Sequence, residues 1–218
     1  MMKNNLILCL LASTAMLISC DNGGGNQDGT DNDTTMTMEE GTDETAEGAT
    51  MTATLNENQS SVMWTGTMLG VYAHTGTVDF KEGNLIMEDG KIVGGSFTVN
   101  LGTIVPTDEN YNPEEGKSKE KLVGHLQSDD FFHVEEHPTA RFEITGSSPE
   151  ENKLMGNLTI RGITHEETVE DVSYDPASKT ATGKLVFDRK KYNVNWDSPQ
   201  DVVLSDDVEL AINLTLQE

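Results

Sequence analysis

Five histidines and two cysteines carry most of the reactive chemistry of this 218-residue chain. His133-Val134-Glu135-Glu136-His137 spells H-x-x-E-H. In one group of zinc proteases that spacing sets two imidazoles on one helix face beside a carboxylate base. Here Pro138 follows directly and biases His137 towards extended backbone. A helical zinc site does not fit, and no metal or other cofactor is expected. His74, His125 and Arg189 are the further polar candidates. A neutral imidazole can meet a carbonyl or phosphate, and a guanidinium fork matches an anionic head group. The alternative for each is a structural bond, for Arg189 to Asp188 or Asp197. No G-x-S-x-G, Walker loop or G-x-G-x-x-G occurs, and Glu135-Glu136 and Glu166-Glu167 read as solvated charge.

The cysteines leave nothing for a disulfide or a thiol nucleophile. Cys9 lies within the apolar run Leu6–Ile18, which follows Lys3 and is too short to span a bilayer. Residues 1–19 read as a secretory signal. It closes with Leu17-Ile18-Ser19-Cys20, which resembles a bacterial lipobox. That resemblance implies acylation of Cys20, cleavage before it, and anchoring to a membrane by two or three chains, where one would be marginal.

The segment that must carry the domain away from such an anchor is also legible. Asp21–Thr50 holds nine acids, no Lys or Arg and no aromatic residue, so residues 20–50 read as an acylated Cys followed by a disordered acidic tether. Residues 51–218 keep 29 acids against 13 bases, a net of −16 within a whole-chain charge of −24. This charge excludes nucleic acid as a partner, which needs a basic face, and excludes electrostatic docking on anionic lipid.

From Met51 onwards the pattern is β. Val208, Leu210, Ile212, Leu214 and Leu216 alternate with wettable residues at period two, and Ala140, Phe142 and Ile144 do the same. Val62–Trp64, Thr77–Phe80, Leu85–Met87, Ile92–Leu101, Leu154–Ile160, Thr168–Tyr174 and Lys184–Phe187 complete the series, separated by turns such as Glu88-Asp89-Gly90 and Asp175-Pro176. Asn112–Val134 breaks the pattern. It predicts a helix over about 113–127 and a second turn over 129–134 capped by Ser128, with Pro138 opening the next strand. One helical insertion in an antiparallel series implies a barrel or a sandwich.

Four segments, in order, resemble the YceI-like family. They are Trp64-Thr65-Gly66 to His74-Thr75-Gly76; His125-Leu126-Gln127-Ser128-Asp129-Asp130-Phe131-Phe132 with His137-Pro138-Thr139-Ala140-Arg141-Phe142; Gly156–Thr164; and Phe187-Asp188-Arg189. The resemblance covers residues 51–218. It implies an all-β, lipocalin-like, eight-stranded antiparallel barrel with a helical insertion. It also implies an apolar cavity for an isoprenoid quinone, a polyprenyl phosphate or a fatty amide, no enzymatic activity, and often a homodimer. His133 and His137 stand where the family has Asp and Tyr, and Tyr192-Asn193-Val194 where Phe-Gly-Ile/Val is common.

A small barrel holds one ligand if its inward side chains leave room. Trp64, Phe80, Phe97, Phe142, Leu158, Ile160 and Phe187 are the expected wall, with Phe131 and Phe132 at a helix-covered mouth. Gly66, Gly76, Gly94, Gly95, Gly102 and Gly156 are expected to vacate space or allow coiling. The expectation is a lipid-anchored carrier or sequestering protein of the cell envelope, facing the periplasm or the cell surface. The alternatives are an envelope hydrolase or isomerase using His74 or His125, and a stress-response interaction domain with a filled core.

Overall fold

The structure is a computed structural model, which describes residues 50–112, 114, 117–197 and 203–217. The signal, Cys20 and the tether up to residue 49 lie outside the described residues. The strands are β1 (Thr50–Thr54), β2 (Ser61–Met68), β3 (Tyr72–Glu88), β4 (Lys91–Pro106), β5 (Thr139–Ser148), β6 (Lys153–Ile160), β7 (Ile163–Asp175), β8 (Thr180–Asp188) and β9 (Leu204–Thr215), with one α-helix, α1 (Lys119–Gln127), between β4 and β5.

Each of β2 to β9 pairs antiparallel with its chain neighbour, and β9 returns to β2, so eight strands close into a barrel. Closure of the eight strands removes the edges that β2 and β9 would otherwise present to another chain. β1 extends the wall beyond β2 by pairing with the far half of β3, Thr50 opposite Glu88 through Thr54 opposite Asn84. The Thr77–Phe80 and Leu85–Met87 stretches are therefore one strand. Three register shifts against β4 bend it, and bulges of this kind raise local twist. One shift falls between Phe80 and Glu82, where Lys81 and Glu82 are exposed in succession, so period two breaks and alternation alone splits the strand.

Period two sets the core. In β8, Ala181, Gly183, Leu185 and Phe187 point inward while Thr182, Lys184 and Val186 are exposed; in β6, Leu154, Gly156, Leu158 and Ile160 are the buried set. One end is sealed by Leu55, Leu85, Met87 and Leu216, all 4% exposed or less. The other end carries α1, the β2–β3 and β6–β7 turns and the β8–β9 connection.

α1 begins six residues later than the sequence reading places it. Ser118 is its N-cap, accepting from the Lys121 amide, because Asn112 pairs with Lys117 and turns the preceding chain instead. Ser128 caps backwards rather than forwards: its hydroxyl donates to the His125 carbonyl at 2.7 Å. Its own carbonyl then receives the amides of Phe131 and His133.

Two glycines have geometric reasons. Gly95 sits at φ +137°, and a Cβ there would run into the backbone of Asn84 and Leu85. A larger residue would disrupt the β3–β4 contact rather than narrow the interior. Gly156 leaves room for the Phe142 ring, whose Cε1 lies 2.7 Å from where a Cβ would stand.

Candidate ligand-binding site

The inward rows enclose a cavity of about 360 Å³, within the range of small-molecule sites. All nine expected wall residues line it: Trp64, Phe80, Phe97, Phe131, Phe132, Phe142, Leu158, Ile160 and Phe187. β2 brings Trp64, whose indole N–H donates to the Thr77 carbonyl at 3.3 Å. Phe80 and Phe97 meet edge-to-face across β3 and β4, with centroids 6.0 Å apart. Phe131 and Phe132 follow α1 and meet edge-to-face at 4.9 Å. Among the described residues the lining contains no Asp, Glu, Ser, Cys or Lys.

His125 is the polar exception at the helix end. α1 turns it into the cavity between Phe131 (5.5 Å between centroids) and Trp196 (4.7 Å). Its Nε2 is buried and has no hydrogen-bond partner among the described residues. Desolvation pushes its pKa down, with Asp130 opposing, so the neutral imidazole is favoured. An orphaned nitrogen facing an apolar space is a costly arrangement unless a ligand group meets it.

His74 also reaches the cavity, from the start of β3. Its Nδ1 lies 3.2 Å from both carboxylate oxygens of Asp108. Tyr111 donates its hydroxyl to the same carboxylate at 3.0 Å and stacks on His74, while Tyr72 meets the His74 ring edge-on. Burial would raise Asp108, but the amides of Asn110 and Thr75 together with His74 and Tyr111 hold it below the usual carboxylate range. Burial, and then the bond to Asp108, push the Tyr111 hydroxyl up. This network fixes the His74 ring at the mouth.

Arg189 stands apart from the cavity. It is fully buried, and its guanidinium donates to the carbonyls of Ser205, Val194 and Trp196 and pairs with Asp206 and Asp197. Four of its five N–H donors are hydrogen-bonded within the protein and the fifth faces Asp197 at 3.6 Å, so the guanidinium is committed to the scaffold. It pins the β8–β9 connection, and with it Trp196. Of the two readings weighed for Arg189 in the sequence, a head-group contact and a structural pair with Asp188 or Asp197, the pair with Asp197 is the one observed, and Arg189 does not line the cavity. The departures near it also find reasons. Asn193 holds φ +58°, a conformation Gly or Asn tolerates, and the Tyr192 hydroxyl donates to Glu167 at 3.0 Å.

Sequence reasoning missed Trp196, Asp108 and Tyr111, which lie in connections without periodicity. The H-x-x-E-H stretch is non-helical, as Pro138 led the sequence reading to expect. A turn nonetheless brings one donor atom each from His133, Glu136 and His137 within 4.8 Å of one another.

A closed antiparallel barrel with an apolar cavity and a helix across one end defines a lipocalin-like fold. The chain belongs to the YceI-like family, whose domain model matches residues 54–216. A UPF0312 protein of Staphylococcus aureus strain N315 is 35% identical over 119 residues, 49% of this chain and 64% of the relative. The chain thus spans less than two thirds of that relative. Among solved structures, Burkholderia cenocepacia BcnA superposes with a TM-score of 0.55 at 19% identity, covering 73% of this chain and 98% of that one. A polyisoprenoid binding domain from Saccharophagus degradans, described as implicated in plant cell wall breakdown, gives 0.46 at 9% identity, covering 78% and 100%.

Proposed function

We propose that this protein binds one long apolar lipid of isoprenoid type, tail inside the barrel and polar end at His125, as a carrier or sequestering protein of the cell envelope. The observation that carries the reading is the pairing of an apolar cavity with a buried, unpartnered His125 Nε2. The tail supplies affinity at roughly 25 cal/mol per Å² of apolar surface removed from water. The imidazole then selects a ligand with one hydroxyl or carbonyl at the right depth. Family membership supports the isoprenoid class. Acylation of Cys20 would tether the barrel to a membrane from which such a ligand is drawn, facing the periplasm or cell surface. A homodimer belongs to the same proposal.

The cavity argues against the filled-core alternative. The enzyme alternative needs a nucleophile or an acid–base pair at a reacting bond; the described lining supplies no carboxylate, Ser or Cys, and its His74 is held by Asp108 and stacked on Tyr111. The test is a titration of delipidated protein with isoprenoid quinones and alcohols of increasing length. Affinity should rise by up to ~0.8 kcal/mol per CH₂ and then level off when the cavity is full. Affinity indifferent to length would end the carrier reading.

A further inference from the structure

The turn between α1 and β5 carries a second constellation, and none of its members lines the cavity. His133 Nδ1 lies 3.3 Å from Glu136 Oε2, and the His133 and His137 rings meet edge-to-face with centroids 5.9 Å apart. The backbone builds this closeness without help from any ion. His133 holds φ +51°, a left-handed conformation in which His, Asn and Asp are enriched among non-glycine residues. Its carbonyl accepts from the amides of Glu136 (3.1 Å) and His137 (2.8 Å), and its own amide donates to the Ser128 carbonyl at 2.7 Å. Arg161 braces the approach by donating to the Phe131 carbonyl at 2.6 Å, and the His137 ring rests over Gly162. Pro138 fixes the exit strand without pulling His137 out of the turn.

We propose that His133, Glu136 and His137 form a binding site for a divalent late transition-metal ion such as Zn(II) or Cu(II). Two imidazoles and one carboxylate are donors that such ions favour over Ca(II) or Mg(II), which take oxygen. In a tetrahedral site with bonds of about 2.0–2.1 Å, neighbouring ligand atoms stand roughly 3.3–3.4 Å apart. The His133–Glu136 pair already has that spacing, and His137 needs only a side-chain adjustment from within 4.8 Å. The side chains of His133 and Glu136 are 31% and 66% exposed, so an ion has access and one coordination position stays open to water. The net charge of −24 concentrates cations near the protein. Three protein ligands with an open position suit reversible binding rather than a closed structural site.

The test is calorimetric titration of the tag-free, full-length protein with Zn(II) in a buffer that does not chelate, beside Cu(II) electron paramagnetic resonance. One equivalent should bind, with two nitrogen donors in the copper spectrum. His133→Asn, which tolerates the left-handed turn, and His137→Gln should each weaken Zn(II) more than about tenfold, while His165→Gln on β7 changes nothing. Glu136→Gln, at an exposed position, provides a variant whose folding is not in question and should weaken binding too. Absence of saturable Zn(II) uptake, or uptake that survives both His133→Asn and His137→Gln in proteins with unchanged melting curves, would overturn the assignment.

Discussion

Replacing His125 with Phe should change ligand-free stability and ligand affinity in opposite directions. In the ligand-free barrel Nε2 is buried with no partner, an arrangement that costs about 1–3 kcal/mol. Phe keeps the edge contacts with Phe131 and Trp196 and removes the orphan, and the adjoining cavity has space for the slightly larger ring. Allowing for some repacking loss, the delipidated variant should gain about 1–2 kcal/mol, or roughly 2–8 °C in Tm for a domain of this length. Binding runs the other way. A ligand with a hydroxyl or carbonyl end relieves the orphan in the native protein and finds nothing in the variant. Its affinity should drop by about 1–3 kcal/mol, roughly 5- to 150-fold, while a hydrocarbon of equal length binds unchanged. Trp64 and Trp196, the chain's two tryptophans, both line the cavity, so intrinsic fluorescence reports occupancy, and calorimetry of delipidated protein gives Tm. His125→Gln keeps a hydrogen-bonding group and should retain part of the head-group preference. A destabilised His125→Phe protein that also weakens for polar-ended and hydrocarbon ligands alike would refute the reasoning.

Acid should loosen the same site. Because burial lowers the His125 pKa in the fold, its contribution to stability is complete above about pH 6.5 and is lost as pH falls through the lower folded value, Asp130 offsetting part of it. Melting curves of native protein and His125→Phe between pH 7.5 and 5 should therefore diverge, the native one falling further; parallel curves would remove the linkage. Arg189→Met leaves the carbonyls of Val194, Trp196 and Ser205 without this donor, while Asp206 keeps Lys190 at 2.9 Å, and should cost about 3–5 kcal/mol in chemical denaturation. A loss under about 1 kcal/mol would show that the network is not structural. Gly156→Val puts methyls into the Phe142 ring and should destabilise by about 1–3 kcal/mol, with partial rescue by Phe142→Leu; no rescue would place the strain elsewhere. Cys20→Ser should abolish labelling by a fatty-acid probe, and retained labelling would defeat the anchor proposal.

How far the sequence discloses this molecule depends on which force places each residue. The wall of the cavity was legible because period-two alternation is a local consequence of pleating, and the same rule that buries Leu158 and Ile160 in β6 buries Leu185 and Phe187 in β8. The polar sites were not, because their partners come from connections whose course no periodicity records. Asp108 reaches His74 across 34 positions, and Arg189 finds carbonyls in a segment that has no regular structure. Arg189 and His125 looked alike as candidates, being motif residues with polar ends, and the fold separates them by satisfaction. Arg189 is buried with its guanidinium taken up by three carbonyls and two acids, so it holds the scaffold. His125 is partly buried with its buried Nε2 unmet among the described residues, so it is the group whose energy can change when something enters the barrel. The H-x-x-E-H stretch shows what a spacing argument covers and what it leaves open. Excluding a helix excluded the protease geometry, but the left-handed turn at His133 brings residues i, i+3 and i+4 together by another route. A spacing rule limits which backbone can assemble a site, and it becomes an exclusion only when every backbone compatible with the sequence has been considered.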